Sequence, residues 1–149
     1  MLLITFNIAE DRYALDTRNV IEIVPQVTLK SIPMEESYVA GIFNYHGNYV
    51  PVIDISSLCG GTVASASLTT RIIIARFNDK QVIGLLADNL TQTLHIEPEQ
   101  FSSCGIQKLN ADFLGDVSHH EDGLIQLVNI EQLLSPELKS RLYETVGAA

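Results

Sequence analysis

Basic residues are scarce in this sequence. Lysine and arginine account for 9 of its 149 residues, they form no run, and the formal net charge is −9. Nucleic acids and anionic membranes are bound by basic surfaces that displace counterions, so we expect neither as a partner. No apolar run approaches the roughly 18 residues that a membrane span requires, so we also expect no direct membrane insertion.

Cysteine is scarce as well. Cys59 and Cys104 are too few for a disulfide framework, and their contexts, SLCGG and SSCGI, contain neither a CxxC motif nor a metal-ligand spacing. We predict two free thiols in a reducing cytoplasm, with a redox pair as the alternative. The N-terminal residues MLLITFNIAEDRY lack the basic segment of a signal peptide.

The remaining composition is that of a globular protein, with 46% hydrophobic and 18% charged residues. A chain of 149 residues suits one domain, or two small subdomains that share a core. Because the strand patterns begin at Leu2 and the helical pattern ends near Thr145, we expect no attached tail, tether or output domain.

Strand patterns dominate, and they predict a mainly β fold. Short β-branched or alternating segments recur along the chain, with turn residues between them. They lie at 2–8, 13–15, 20–24, 27–32, 42–45, 49–55, 71–77, 81–87, 91–96 and 124–128. Gly47-Asn48 and the 78–80 segment predict hairpin turns. About ten short strands are typical of small barrels or a sandwich.

Helix signals come late in the chain. Asn129 followed by Gln132 is a variant of the capping box, and Ser135-Pro136 supplies a second cap with proline at the first helical position. We therefore predict a terminal helix over about 136–145. The small, uncharged segment 60–67 has the composition of a linker.

The two halves of the chain, about 1–60 and 68–134, resemble each other. Segment 14–24 aligns with 84–94 at an offset of 70 residues, and 47–58 aligns with 123–133 at an offset of about 75. We interpret this as a tandem of two equivalent β-units within one domain of 149 residues; chance similarity between apolar strands is the alternative. Asp54 then matches Asn129, and we predict that both cap short helical turns.

Catalytic and metal-binding motifs are absent from the sequence. It contains no GxSxG, GxxxxGK[ST] or GxGxxG. The strongest ligand-type cluster is His119-His120-Glu121-Asp122, but neighbouring residues on a strand face opposite ways, and zinc sites need three or four converging ligands. We predict a solvated loop there, with metal binding as the alternative, and assign no catalytic, cofactor or metal residue.

The sequence resembles the CheW family of bacterial chemotaxis coupling proteins. The matching segments of the first half are YALD at 13–16, VIEI at 20–23, IP at 32–33, YVAG at 38–41 and VPVID at 50–54, with Asn44 and Gly47 between the last two. The second half matches more loosely, at 82–88, 113–115 and 127–134. The resemblance covers nearly the whole chain.

The resemblance implies a fold of two small five-stranded, SH3-like β-barrels that share a core, with a short C-terminal helix. It implies a non-catalytic adaptor without cofactor. Such adaptors couple the cytoplasmic tips of methyl-accepting chemoreceptors to a CheA-type histidine kinase, whose regulatory domain has the same fold. We expect a cytoplasmic protein that is recruited to membrane-associated receptor arrays.

The resemblance also implies a set of partner-binding residues. These are Val20, Glu22, Ile23, Asn44, His46 and Gly47. Strand alternation would place Val20 and Glu22 on one face and Ile21 and Ile23 on the other, so that one pair serves the core and the other meets a partner. The alternative is that this segment simply fills an edge strand.

His46 departs from the family pattern, which has arginine at this position. Arginine is always charged and offers a five-donor fork, whereas histidine titrates near neutrality and offers fewer donors. The change is compatible with a specialised non-flagellar pathway, for example one that controls pili, surface motility or a second messenger. It is also compatible with a contact that weakens as pH rises. A small-ligand or metal sensor on the same fold is a further alternative.

Overall fold

Strands dominate the structure, as the sequence patterns predict. The computed structural model describes residues 1–8, 10–59, 69–78, 80–103, 113–120 and 123–147. Its strands are β1 (Leu2–Ile8), β2 (Asp11–Asp16), β3 (Val20–Pro25), β4 (Val39–Tyr45), β5 (Asn48–Asp54), β6 (Arg71–Arg76), β7 (Val82–His95), β8 (Leu114–His120) and β9 (Gly123–Val128). Its helices are α1 (Ile55–Leu58), α2 (Pro136–Gly147) and three single 3₁₀ turns, Thr17–Asn19, Pro98–Gln100 and Ile130–Gln132.

The strands form two sheets that share β7. Sheet 1 has the order β3-β6-β7-β5-β4, and sheet 2 has the order β7-β1-β2-β9-β8. The 14 residues of β7 are long enough to leave one sheet and enter the other. In the described part of the chain, the end strands of neither sheet pair with each other, so both barrels stay open. The predicted mainly β, SH3-like class with two five-stranded units is confirmed.

The two sheets are related by the sequence offsets of 70 and 75 residues. In sheet 1, Val52 pairs in parallel with Gly84, and in sheet 2 Leu127 pairs in parallel with Ala14. Each sheet therefore combines strands from both sequence halves, 1–60 and 68–134. Strands of both sequence halves therefore surround one main core.

The main core lies between the sheets and is closed by α2. Its buried members include residues from both sheets and from the terminal helix, among them Phe6, Leu15, Ile53, Ile73, Phe77, Leu85, Phe113, Leu138 and Leu142. Each fully buried large apolar side chain contributes about 1.5–3 kcal/mol. A second cluster covers the other face of sheet 1 and contains Val52, Ile72, Ile74 and Leu86.

The terminal helix begins where the sequence predicts. Ser135 Oγ accepts a hydrogen bond from the Leu138 backbone N–H at 3.2 Å, and Pro136 is the first helical residue. Leu138 and Leu142 lie one helical turn apart and are both buried. The Tyr143 hydroxyl donates to the Val82 carbonyl oxygen at 3.0 Å, which fixes the helix against β7.

The helix caps agree with prediction in the first half and differ in the second. Asp54 is buried and accepts hydrogen bonds from the backbone N–H groups of Ser56 and Ser57 at 3.1 and 3.3 Å, so the predicted cap is confirmed. Asn129 occupies the equivalent position but makes no side-chain cap hydrogen bond, so the predicted capping box is wrong. Its amide lies instead against Gly115 of β8, where little space remains.

Besides shifts of up to three residues at strand ends, three strand predictions are wrong. Segment 27–32 contributes a single bridge, Lys30 to Ile42, because prolines flank it and proline cannot donate to a ladder. Segments 81–87 and 91–96 are one continuous strand, β7, since the polar residues between them lie where the strand passes from one sheet to the other. Ile55 begins α1 and does not end β5.

Strand β8 was not predicted, and it contains His119 and His120. Its sequence, LGDVSHH, has no apolar alternation, but it pairs with the apolar strand β9. The prediction of a solvated loop at these histidines is therefore wrong. The rest of that cluster, Glu121 and Asp122, lies outside the described residues, as do Cys104 and the predicted linker 60–67.

Candidate partner-binding surface

Strand β3 is an end strand of sheet 1 and pairs only with β6 among the described strands. Ile21 and Ile23 are 44% and 42% exposed, which is unusual for isoleucine. An edge strand that exposes large apolar side chains must be protected, or must meet a partner. This strand therefore has the properties of an interaction surface.

A β-bulge changes how β3 presents its side chains. Val20 lies opposite Ala75, which belongs to the main core, whereas Glu22 lies opposite Ile74, which belongs to the second cluster. Val20 and Glu22 therefore face opposite sides, and the predicted strict alternation is wrong. The extra residue of a bulge shifts all following side chains to the other face.

The β4–β5 hairpin brings a second group of predicted residues to the same region. Tyr45 pairs with Asn48, so the two turn residues are His46 and Gly47, one position earlier than predicted. Both have positive φ, 51° and 88°, as a type I′ turn requires. Asn44 Oδ1 accepts a hydrogen bond from the Gly47 backbone N–H at 2.8 Å and fixes the turn.

Glu22 joins β3 to this hairpin. The Tyr45 hydroxyl donates a hydrogen bond to Glu22 Oε2, and His46 Nε2 lies 3.9 Å from the same oxygen. The rings of Tyr45 and His46 meet edge to face, with centroids 4.3 Å apart. The hydrogen bond to Glu22 raises the pKa of Tyr45, because the carboxylate stabilises the protonated hydroxyl.

The structure therefore brings four of the six predicted residues to one place: Glu22, Asn44, His46 and Gly47. Ile23 is exposed on the opposite face of β3, and Val20 packs against the main core. Sequence reasoning missed Tyr45 and Ile21. The strand register could have indicated Tyr45, since it immediately precedes the turn, but nothing local indicates that it reaches Glu22.

The chemistry of this surface is that of recognition. It combines exposed isoleucines, a carboxylate and an imidazole, and polar groups around an apolar centre are typical of protein interfaces. Among the described residues, no three histidine, cysteine, aspartate or glutamate side chains are grouped to hold a metal ion. No described helix is long and apolar enough to cross a membrane.

A separate cleft of about 430 Å³ lies on sheet 2. The 3₁₀ turns Thr17–Asn19 and Ile130–Gln132 border it, and polar side chains line most of it. At its edge, Arg18 Nε donates to Asp16 Oδ2 at 3.0 Å, and these hydrogen bonds lower the pKa of Asp16. The pair holds the first turn in place, since Asp16 also accepts from the Arg18 backbone N–H.

Two open five-stranded sheets around one core, with an exposed edge strand beside a hairpin, define a β-sheet protein-interaction domain. The sequence profile of the CheW-like domain matches residues 2–137, and the chain belongs to that family. It is an adaptor that couples chemoreceptors to a CheA kinase in chemosensory signal transduction.

Similar proteins agree with this assignment. The chain is 28% identical over 141 residues to a chemotaxis protein CheW of Helicobacter pylori, covering 90% of this chain and 81% of that protein. It is 25% identical over 146 residues to one of Treponema pallidum, covering 94% and 85%. The scaffolding protein TtCheW of Thermoanaerobacter tengcongensis has a similar structure, with a TM-score of 0.82, 26% identity and coverage of 90% and 87%. These relatives favour the chemotaxis role over the specialised pathway or the small-ligand sensor.

Proposed function

We propose that this adaptor binds the regulatory CheW-like domain of a CheA-type histidine kinase through the surface formed by β3 and the β4–β5 turn, which we call the hairpin patch. Its residues are Val20, Glu22, Ile23, Asn44, His46 and Gly47. The adaptor acts by holding its partners in place, without catalysis and without a cofactor.

One observation carries this assignment: β3 exposes Ile21 and Ile23 on a sheet edge, and the neighbouring hairpin holds the Glu22 carboxylate of the same strand. Covering a half-exposed isoleucine contributes on the order of 1 kcal/mol. The Glu22 carboxylate helps to orient the bound partner and to select it over other proteins, as charged groups commonly do at interfaces. A partner domain of the same fold offers a comparable sheet edge.

The second proposed partner is the cytoplasmic tip of a methyl-accepting chemoreceptor, bound away from the hairpin patch. An adaptor has to hold both partners at once, so the two surfaces must not overlap. We propose that the protein works in the cytoplasm and is recruited to membrane-associated receptor arrays. Receptor-dependent clustering of a fluorescent fusion tests this recruitment, and diffuse signal in cells that form arrays contradicts it.

Kinase binding is tested by calorimetry with the isolated regulatory domain of the kinase from the same genome. Ile23→Asp should weaken binding at least tenfold, because it replaces an exposed apolar side chain of the edge strand by a charge that the partner must bury. Leu2→Asp is the matched control, since Leu2 is 47% exposed but belongs to sheet 2. Wild-type affinity in Ile23→Asp, with the fold intact by circular dichroism, would exclude the hairpin patch.

The same assay tests the contribution of His46. His46 Nε2 lies 3.9 Å from Glu22 Oε2, and imidazoles in general change charge near neutrality, whereas an arginine side chain stays charged. Wild-type affinity should fall more than that of His46→Arg between about pH 6 and pH 8. Equal pH dependence of the two proteins would show that the imidazole charge takes no part in binding.

A further inference from the structure

Along β3, sheet 1 has a seam that its backbone does not close, since the two backbone hydrogen bonds between Lys30 and Ile42 lie beyond the end of β3. Strands β3 and β4 are the two ends of the sheet, and in the described part of the chain no ladder joins them. The Tyr45 hydroxyl crosses this seam to Glu22, which is 23 residues away in sequence. A hydrogen bond between two side chains, Tyr45 and Glu22, thus connects the hairpin to the edge strand within the hairpin patch.

The position of the Tyr45 hydroxyl is set by packing. Its ring packs against the second cluster and makes an edge contact with Phe43, with centroids 6.1 Å apart. On its other side it meets His46, whose backbone is held in the left-handed region by the turn. A ring held on two sides presents its hydroxyl in a fixed direction.

Glu22 would be mobile without this partner. Its side chain is 49% exposed, and a glutamate on a free edge samples many rotamers. Oε2 accepts from Tyr45, whereas Oε1 has no hydrogen-bond partner among the described residues. The described lysines and arginines form no ion pair with Glu22, and among the described residues only His46 places a basic nitrogen within 4 Å of its carboxylate. The carboxylate is therefore oriented and has one unused acceptor oxygen.

We propose that Tyr45 is a positioning residue for partner recognition: it fixes the Glu22 carboxylate so that Oε1 receives an arginine or lysine side chain of the kinase regulatory domain. This inference rests on the proposed function and specifies its chemistry. A charged donor matches an exposed carboxylate oxygen, and orienting the acceptor before binding lowers the entropy lost on association.

The test is a double-mutant cycle in kinase binding with Tyr45→Phe, Glu22→Gln and the double variant. Tyr45→Phe removes one oxygen atom and keeps the ring packing, so the fold should persist. We expect Tyr45→Phe to weaken binding about three- to tenfold, and the double variant to bind no more weakly than Glu22→Gln alone. The matched control is Tyr49→Phe, a 50% exposed tyrosine in the same hairpin, which should bind like the wild type.

A second readout needs no partner. The carboxyl carbon of Glu22, observed by NMR in the free protein, should shift in Tyr45→Phe and not in Tyr49→Phe. A cationic partner group further predicts that affinity falls with added salt, and that Glu22→Gln reduces this dependence.

The outcomes separate the two proposals. If the wild type does not bind the kinase domain, the proposed function fails, whatever the NMR shift shows. If the wild type binds and Tyr45→Phe binds equally well, the role of Tyr45 is refuted while the proposed function stands. If Tyr45→Phe weakens binding but adds its full effect to that of Glu22→Gln, Tyr45 acts independently of Glu22 and the inference is also wrong.

Discussion

Replacing Gly41 by alanine should destabilise this protein more than any other single methyl group added to sheet 1. Gly41 lies in β4 with φ of 146°, a conformation that residues with a Cβ rarely adopt. A Cβ there would lie 2.6 Å from the Lys30 carbonyl oxygen and 3.0 Å from Leu29 Cβ. Backbone cannot give way as a flexible side chain can, so the segment after β3 must move.

The magnitude follows from what that movement breaks. Lys30 and Ile42 exchange two backbone hydrogen bonds of 2.8 and 2.9 Å, and the crowded oxygen is the acceptor of one of them. Losing both costs about 1–3 kcal/mol, and the strained φ costs about 1–3 kcal/mol more. We therefore expect Gly41→Ala to lower the free energy of unfolding by about 4 kcal/mol, or the melting temperature by roughly 8–16 °C.

Gly47→Ala is the matched control, because Gly47 also has a positive φ, 88°, but has no atom within 4 Å of the added Cβ. It should lower the free energy of unfolding by about 1–2 kcal/mol, which is the cost of the strained φ alone. Urea unfolding followed by circular dichroism measures both variants. If Gly41→Ala costs no more than Gly47→Ala, the close approach of residues 29–30 to β4 does not exist in solution.

Two further predictions concern the cap and a buried tyrosine. Asp54→Ala should lower the free energy of unfolding in urea by about 2 kcal/mol, because two backbone donors lose a buried acceptor. Asn129→Ala removes no cap hydrogen bond and should lower it by about 0.5 kcal/mol. Equal losses would contradict the difference between the two caps. Burial, with smaller effects of nearby Cys59 and Asp11, raises the pKa of Tyr13 to about 12. Folding thus favours its protonated form, and this stabilisation is complete below about pH 10 and is lost as pH rises to 12. Between pH 9 and 12, the free energy of unfolding should fall less in Tyr13→Phe than in the wild type. An equal fall in both proteins would refute the raised pKa of Tyr13.

The exposed edge of β3 and the combination of strands from both sequence halves have one structural cause in common. Because β5 and β9 pair in parallel with strands of the opposite sequence half, β3 and β4 become the two ends of sheet 1. Strand β7 belongs to both sheets, so the two sheets pack around one main core. The hairpin patch is thus a consequence of topology as well as of composition.

Local features of this protein could be predicted from the sequence. The boundaries of β1, the start of α2 and the Asp54 cap follow from apolar alternation, proline at the first helical position and side-chain acceptors near free N–H groups. Each depends on interactions within a few residues, so a short window of sequence contains the necessary information. The offsets of 70 and 75 residues were also visible there, and the same offsets relate the two sheets.

The hairpin patch needed the tertiary structure. Its bulge reverses the face of Glu22, its turn lies one residue earlier than the glycine-asparagine signal predicts, and its Tyr45–Glu22 hydrogen bond crosses a seam. Strand β8 is similar, since its polar sequence forms a strand only because β9 lies beside it. Pairing partners, registers and seams depend on which distant strands share a core. Composition and the spacing of apolar segments determined that this protein is a β-sheet domain, and the resemblance to the CheW family indicated an adaptor. Packing between distant segments decided which side chains its surface presents.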